Sequence, residues 1–144
     1  AQGRVLWASM PNAPHLFDLR RDFKQFGADI TLIQPVDDGV YVGTEQELVF
    51  LAGGKFDQLA YQRVANGPVV LGSGVTVPGD MVKLGDGVGR GTAMLCIADG
   101  GIVAGFSSGT VANLTDGRYH TGVTQVSAAF RMLGGVPQYL AVPQ

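Results

Sequence analysis

A chain of 144 residues suits one domain with a single core, and none of its apolar runs approaches the ~18 residues that cross a bilayer as a helix, so a soluble chain without membrane insertion is expected. Charged residues are 15% of the chain, against about 25% in an ordinary domain, and its 22 glycines are about twice the usual share. With 12 acids against 10 bases there is no basic stripe to neutralise phosphates, which argues against nucleic acid as a partner, and so sparse a charge suits tightly looped β structure or faces covered by neighbours.

In chain order, neither a signal peptide nor a basic transit segment is read within the sequence, and the absence of an initiator Met at Ala1 leads to the expectation that the chain is trimmed or is a piece of something longer. RVLWAS at 4–9 reads as a strand of a partial opening unit at 1–20. HLFDLRRDFKQF at 15–26 places Leu16, Leu19, Phe23 and Phe26 at helical spacing, which suits either a short amphipathic helix or an extended edge lying over a sheet.

A repeat follows. DDGVYVGTEQELVFLAG at 37–53 aligns with DGGIVAGFSSGTVANLT at 99–115, with Gly43 on Gly105, an offset of 105 − 43 = 62. At the same offset ITLI at 30–33 falls on TAML at 92–95. Each copy reads as a β-meander: an apolar strand, an Asp/Gly turn, a strand ending in Gly, a second turn and a third strand. Neither face of the middle strand is strongly polar, as expected of strands packed on both sides. LAYQRVA at 59–65 and TQVSAAFRML at 124–133 read as fourth strands, giving units of about four strands at 22–65 and 84–133. With the partial first unit this makes on the order of three four-stranded sheets, where closed propellers have about four to eight. The stretch 66–91, rich in Gly and Pro, reads as a long hairpin or ordered loop.

Candidates for chemistry are few. His15 and His120 are the only histidines, and neither has a Cys or a second His at ligand spacing. GDGVGRG at 85–91 fits neither dinucleotide nor P-loop spacing. The pairs Asp37/Asp38 and Glu45/Glu47 suit turn formation, with calcium binding or acid-base work as the alternative. Cys96, alone in MLCIA, reads as a buried hydrophobe. Trp7, Tyr41, Tyr61, Tyr119 and Tyr139 suit core packing, with a sugar-stacking platform as the alternative. Asn113-Leu114-Thr115 matches a glycosylation sequon and is assigned no role. No catalytic, cofactor-binding or metal-ligating residue is assigned, and no cofactor is expected.

Three stretches, GRVLWASMPNAPHLFDL at 3–19, GVYVGTEQELVFLAG at 39–53 and GIVAGFSSGTVANLTDGRY at 101–119, resemble the propeller-like repeat proteins of tailed bacteriophages, which are tail-associated virion structural proteins. The shared elements are a G-x-x-x-G-T strand pair and an N-L-T-x-x-R-Y element, the latter at 113–119. Where such repeats commonly carry Gly in the second turn, as at Gly109, the first copy has Glu47, so the first copy's turn is expected to have different geometry or an extra residue. The relatives are also longer than this chain.

The resemblance implies an all-β domain over 1–144 of propeller-blade-like meanders, an incomplete propeller or a ring completed by other chains. It implies a structural component of the virion, in the tail, tail-adaptor or baseplate region, that works by assembly rather than as an enzyme. Its partners would be other virion proteins and copies of itself, because open sheet edges must be paired or covered. A carbohydrate-binding or host-receptor module, using the loops at 66–91 and the tyrosines, is the alternative.

Overall fold

Two-residue turns set the register of the repeated meanders. In the second copy Asp99 and Gly100 take φ of 49° and 75°, the left-handed pair that matches the twist of the flanking strands. In the first, Asp37 and Asp38 close the turn without positive φ. The computed structural model describes residues 3–84, 87–115, 118 and 120–144. It is all-β, with two short 3-10 turns and no α-helix among the described residues.

The first meander is β3 (Ile30–Val36), β4 (Gly39–Thr44), β5 (Glu47–Ala52) and β6 (Ala60–Asn66), hydrogen-bonded in that order. The second has the order β12 (Val111–Asn113), β11 (Gly101–Phe106), β10 (Thr92–Ala98) and β7 (Val75–Pro78). Three two-stranded antiparallel pairs complete the described residues: β1 (Val5–Trp7) with β2 (Phe23–Gln25), β8 (Lys83–Leu84) with β9 (Gly87–Val88), and β13 (Val126–Leu133) with β14 (Val136–Pro143).

Several expectations are corrected. The fourth strand of the second sheet is β7, from within the stretch read as a long hairpin or ordered loop, because Val75 and Val77 pair along β10, and only the short β8–β9 hairpin occupies part of that stretch. The segment 124–133 instead folds with the residues after it, since Gly134 and Gly135 (φ of 57° and 80°) form a tight turn. The opening residues build a two-stranded hairpin and not a third sheet. Of the two readings of 15–26 the helix is absent and the extended edge is found in the second half: Asp18 accepts backbone bonds from Arg21 and Asp22, and the chain then extends into β2. Phe26 is buried against the first sheet, while Leu16, Leu19 and Phe23 stay exposed.

The two sheets pack face to face. Leu32, Tyr41, Leu48 and Phe50 of the first share one cluster with Met94, Cys96 and Val103 of the second. Leu32 and Met94 are equivalent by the repeat, as are Tyr41 and Val103, so the copies present the same face to each other. The outer face of the first sheet, Val42, Val49 and Leu51, is covered by Leu6 and Phe26 from the β1–β2 side. That of the second, Ala93, Leu95 and Phe106, meets Phe130 and Tyr139 of the β13–β14 arm. The result is four layers, and no closed barrel or propeller ring forms among the described residues.

The motif glycines set the spacing between the sheets. A Cβ on Gly105 would stand 2.6 Å from Tyr41 Cζ, and one on Gly43 the same distance from Val69 Cγ1, so both positions require the missing side chain. The second turns differ by one residue. Gly43 pairs with Leu48 across 44–47, whereas Gly105 pairs with Val111 across 106–110, and the added residue is accommodated by Gly109 at φ 82°. The turns do differ in geometry, but the extra residue expected in the first copy is found in the second, where Gly109 supplies the positive φ that Glu47 does not.

Sheet edges are closed by local chemistry. Val126 and Ala128 donate their backbone N–H groups outward, to the carbonyls of Leu71 and Gly72. By alternation their partners on β14, Pro143 and Ala141, and further along Tyr139 and Pro137, also turn their backbone outward. Two of those four positions are prolines with no N–H to give. Pro35 sits in the equivalent outward position of edge strand β3. Strand β6 carries a bulge next to Val49, and β12 has only three residues.

Candidate functional site

The sequence candidates occupy separate places. Asp37 ties the two copies together: its carboxylate accepts the Thr92 backbone N–H at 2.8 Å and the Thr92 hydroxyl at 2.6 Å, and its own N–H donates to Ser107 Oγ at 3.2 Å. The Thr92 hydroxyl, then the Thr92 backbone N–H, hold the Asp37 carboxyl below its ordinary value of 3.8. A lowered folded pKa contributes stability above the unfolded value and loses it as pH falls through the folded one. Asp37→Asn is therefore expected to melt below wild type at neutral pH, and the gap is expected to narrow below about pH 4 as wild type loses the charged form. Thermal melts of both proteins at pH 7 and pH 3 check this, and a gap independent of pH would refute it.

Glu47, at the start of β5, accepts from the Tyr61 hydroxyl and pairs with Arg63 on exposed β6. Burial, then the carboxylate beside it, pushes the Tyr61 hydroxyl up to about 12. Glu45 is exposed and lines a different cleft. Cys96 is fully buried, as read from its apolar run, and that burial pushes its thiol up to about 12. His120 lies against the Gly100 turn, and His15 is exposed beside Trp7. Asn113 Oδ1 accepts the Thr115 N–H and hydroxyl, an Asx turn that closes the sequon on itself. Among the described residues no three His, Cys, Asp or Glu gather as metal ligands.

The aromatic set does not converge either. Tyr41 is buried between the sheets, 4.8 Å from the Phe50 ring, and donates its hydroxyl to the Phe106 carbonyl at 2.7 Å. Tyr139 packs under the arm and donates to the Ser73 carbonyl at 2.6 Å. Ser73 is itself fully buried, accepting from Ile97 N–H and donating to the Val70 carbonyl. Tyr139→Phe is expected to loosen the arm from the second sheet by about 1 kcal/mol, seen as faster hydrogen exchange in 126–143. Tyr119, together with Gly85, Asp86, Asp116 and Gly117 of the motifs read above, lies outside the described residues.

What the sequence reading missed is the surface of the outer layers. On the β1–β2 side Trp7 and Phe23 pair across strands with ring centroids 5.5 Å apart, both partly exposed. Trp7, His15, Leu16, Phe17 and Leu19 line a shallow trough of about 540 Å³. A second cleft of about 480 Å³ lies between 8–14 and the loop 54–57, and holds Asn12 at φ 60°, Asp22, Lys55 and Asp57. Lys24 lies 5.5 Å from the centre of the Phe56 ring at this junction.

On the opposite outer layer the arm turns Leu133, Val136, Leu140 and Val142 away from the core, and its tip also exposes Met132. The signal for both surfaces was in the sequence, as apolar residues on strands whose two faces cannot both be inside, but only the layering shows which face is left over.

No helix of the described residues is long and apolar enough to cross a membrane. No family model, no curated protein and no solved structure matches this chain.

Proposed function

We propose that this chain is a structural component of a tailed bacteriophage particle, in the tail, tail-adaptor or baseplate region, and that it acts through protein–protein assembly. The phage assignment rests on the resemblance of 3–19, 39–53 and 101–119. The observation that carries the assembly reading is the pair of exposed apolar surfaces on opposite outer layers of a chain with only 15% charged residues. Surfaces of this kind, larger than scattered single residues, mark contact sites.

The partners on this reading are other virion structural proteins and copies of the chain, with no part for nucleic acid or membrane insertion. A blade-like ring completed by other chains is its finer form. Because the two meanders cover one face of each other within the chain, such a ring would have to be joined through the outer layers.

The test is mass spectrometry and electron density of purified particles from a phage carrying this gene. The chain is expected in the tail region, and particles that assemble fully without it would sink the reading.

A second reading, a carbohydrate-binding or host-receptor module, is favoured by one feature. The exposed Trp7 and Phe23 rings form an aromatic face beside Phe17, away from the loops and tyrosines first considered. A glycan array with no signal above a Trp7→Ala control would remove it.

A further inference from the structure

We infer that the cleft between residues 68–71 and the segment 121–124 is a binding site for a small aliphatic ammonium ion, a ligand with one cationic head and a short apolar body. The site uses none of the residues of the two outer apolar surfaces, and it holds whether or not the chain assembles.

Both walls of the cleft are fixed by the fold. The segment 121–124 belongs to no strand, yet it is tied down on either side: Thr121 donates its N–H to the Gly100 carbonyl and Val126 donates to the Leu71 carbonyl, each at 2.9 Å. On the facing wall Val69 donates to the Thr44 carbonyl and Val70 to the Ile97 carbonyl, again at 2.9 Å. Between the walls lies a cavity of about 420 Å³, within the range of small-molecule sites.

Val69, Val70, Leu71 and Val123 give the cleft an apolar lining, and two groups mark its polar side. The first is Thr31, the extra residue of a bulge between Ile30 and Leu32. Its hydroxyl is buried without a hydrogen-bond partner, whereas the Thr121 hydroxyl in the same lining accepts the Val123 N–H at 3.3 Å. A buried hydroxyl left unpaired is a net cost to the fold, and bulges recur beside sites because they re-aim a side chain.

The second group is Glu45. Its backbone is held by the bond from its N–H to the Asp29 carbonyl at 3.2 Å, and its exposed carboxylate makes no ion pair among the described residues. No Lys, Arg or His among those residues lines the cleft.

The ligand class follows from this set. An uncompensated carboxylate beside apolar walls attracts a cation and repels an anion. An ammonium group carries three donors and no acceptor, which suits a carboxylate and a hydroxyl oxygen together. Its aliphatic body then covers the valines and Leu71, at little ordering cost because the walls are already in place.

Amide chemical shifts of labelled protein titrated with hexylammonium, hexanol and hexanoate at constant ionic strength test this. Hexylammonium is expected to move the amides of Thr31, Glu45, 69–71 and 121–124. Hexanol is expected to bind at least about threefold more weakly, the scale of one exposed charge pair, and hexanoate more weakly still. Glu45→Gln is expected to reduce hexylammonium to the affinity of hexanol. Thr31→Val removes the unpaired hydroxyl at nearly constant volume, so the free protein is expected to melt at or above the wild-type temperature while hexylammonium binding weakens.

A Thr31 that served the fold alone would leave binding untouched, so unchanged hexylammonium affinity in either variant overturns the inference. Hexanol bound as tightly as hexylammonium, or no movement of the named amides at tens of millimolar, overturns it as well.

Discussion

Replacing Gly105 by valine is expected to lower stability by about 3 kcal/mol, the upper part of the range for forcing added methyl groups into a packed core. Gly105 lies on the central face of β11, where an added Cβ would meet Tyr41 Cζ at 2.6 Å and Met94 Cε at 2.8 Å. The methionine end can swing aside. The Tyr41 ring cannot do so cheaply, because it is fully buried and its hydroxyl is anchored on the Phe106 carbonyl. Accommodation therefore requires the two sheets to separate or the hydroxyl to lose its acceptor in the interior, which itself costs ~1–3 kcal/mol. Gly122→Ala is the control, since an added Cβ there has nothing within 4 Å. Denaturant titration of the three proteins checks this, and equal midpoints for Gly105→Val and Gly122→Ala would show that Gly105 does not set the sheet spacing.

Phe50→Ala is expected to cost ~3–5 kcal/mol, the range for deleting a buried ring. The reason is its position at the centre of the shared core. The ring packs at a tilt of 41° against Tyr41, with centroids 4.8 Å apart, and added Cβ atoms on Gly39 and Gly109 would stand within 2.8 Å and 2.5 Å of it. Two turns, one from each copy, thus close over the same ring, one from its own sheet and one from the facing one. Neither glycine position refills the space readily: Gly109 stands at φ 82°, a conformation strained for other residues, and Gly39 is the first residue after the Asp37-Asp38 turn. Phe50→Leu should recover much of the loss, as retained volume limits the cavity. At roughly 3 °C or more per kcal/mol, thermal melting should place Phe50→Ala at least about 10 °C below wild type. A drop of only a few degrees would mean that the sheets collapse onto the space, and that the core is less rigid than its packing indicates.

Both expectations concern the repeat, which was legible without coordinates. Gly43 and Gly105, the 62-residue offset, the Asp-Gly turn at 99–100 and the apolar runs at 30–33 and 92–95 belong to short-range physics. Period-2 patterning and turn residues act within a few positions along the chain, so they are visible in the order of residues.

Pairing between distant segments was not legible in the same way. Val75–Pro78 joins β10 because the β8–β9 hairpin folds the intervening chain out of the way, and nothing in the four residues VTVP distinguishes a sheet strand from an ordered loop. The stretch 124–133 had the composition of a fourth strand, yet its nearest partner was the chain immediately after Gly135, and that local hairpin closes with far less loop entropy than a return to the sheet.

Of the candidate surface, the sequence by itself determined the materials: few charges, apolar strands, Trp7 and Phe17 near one end and a Gly-Gly hairpin near the other. Only the tertiary structure decided that the two meanders spend their equivalent faces on each other, which leaves the trough and the arm uncovered on opposite outer layers. A strand has two faces of nearly equal hydrophobicity here, and which one is buried depends on what lies across the core, which is a property of packing rather than of residue order.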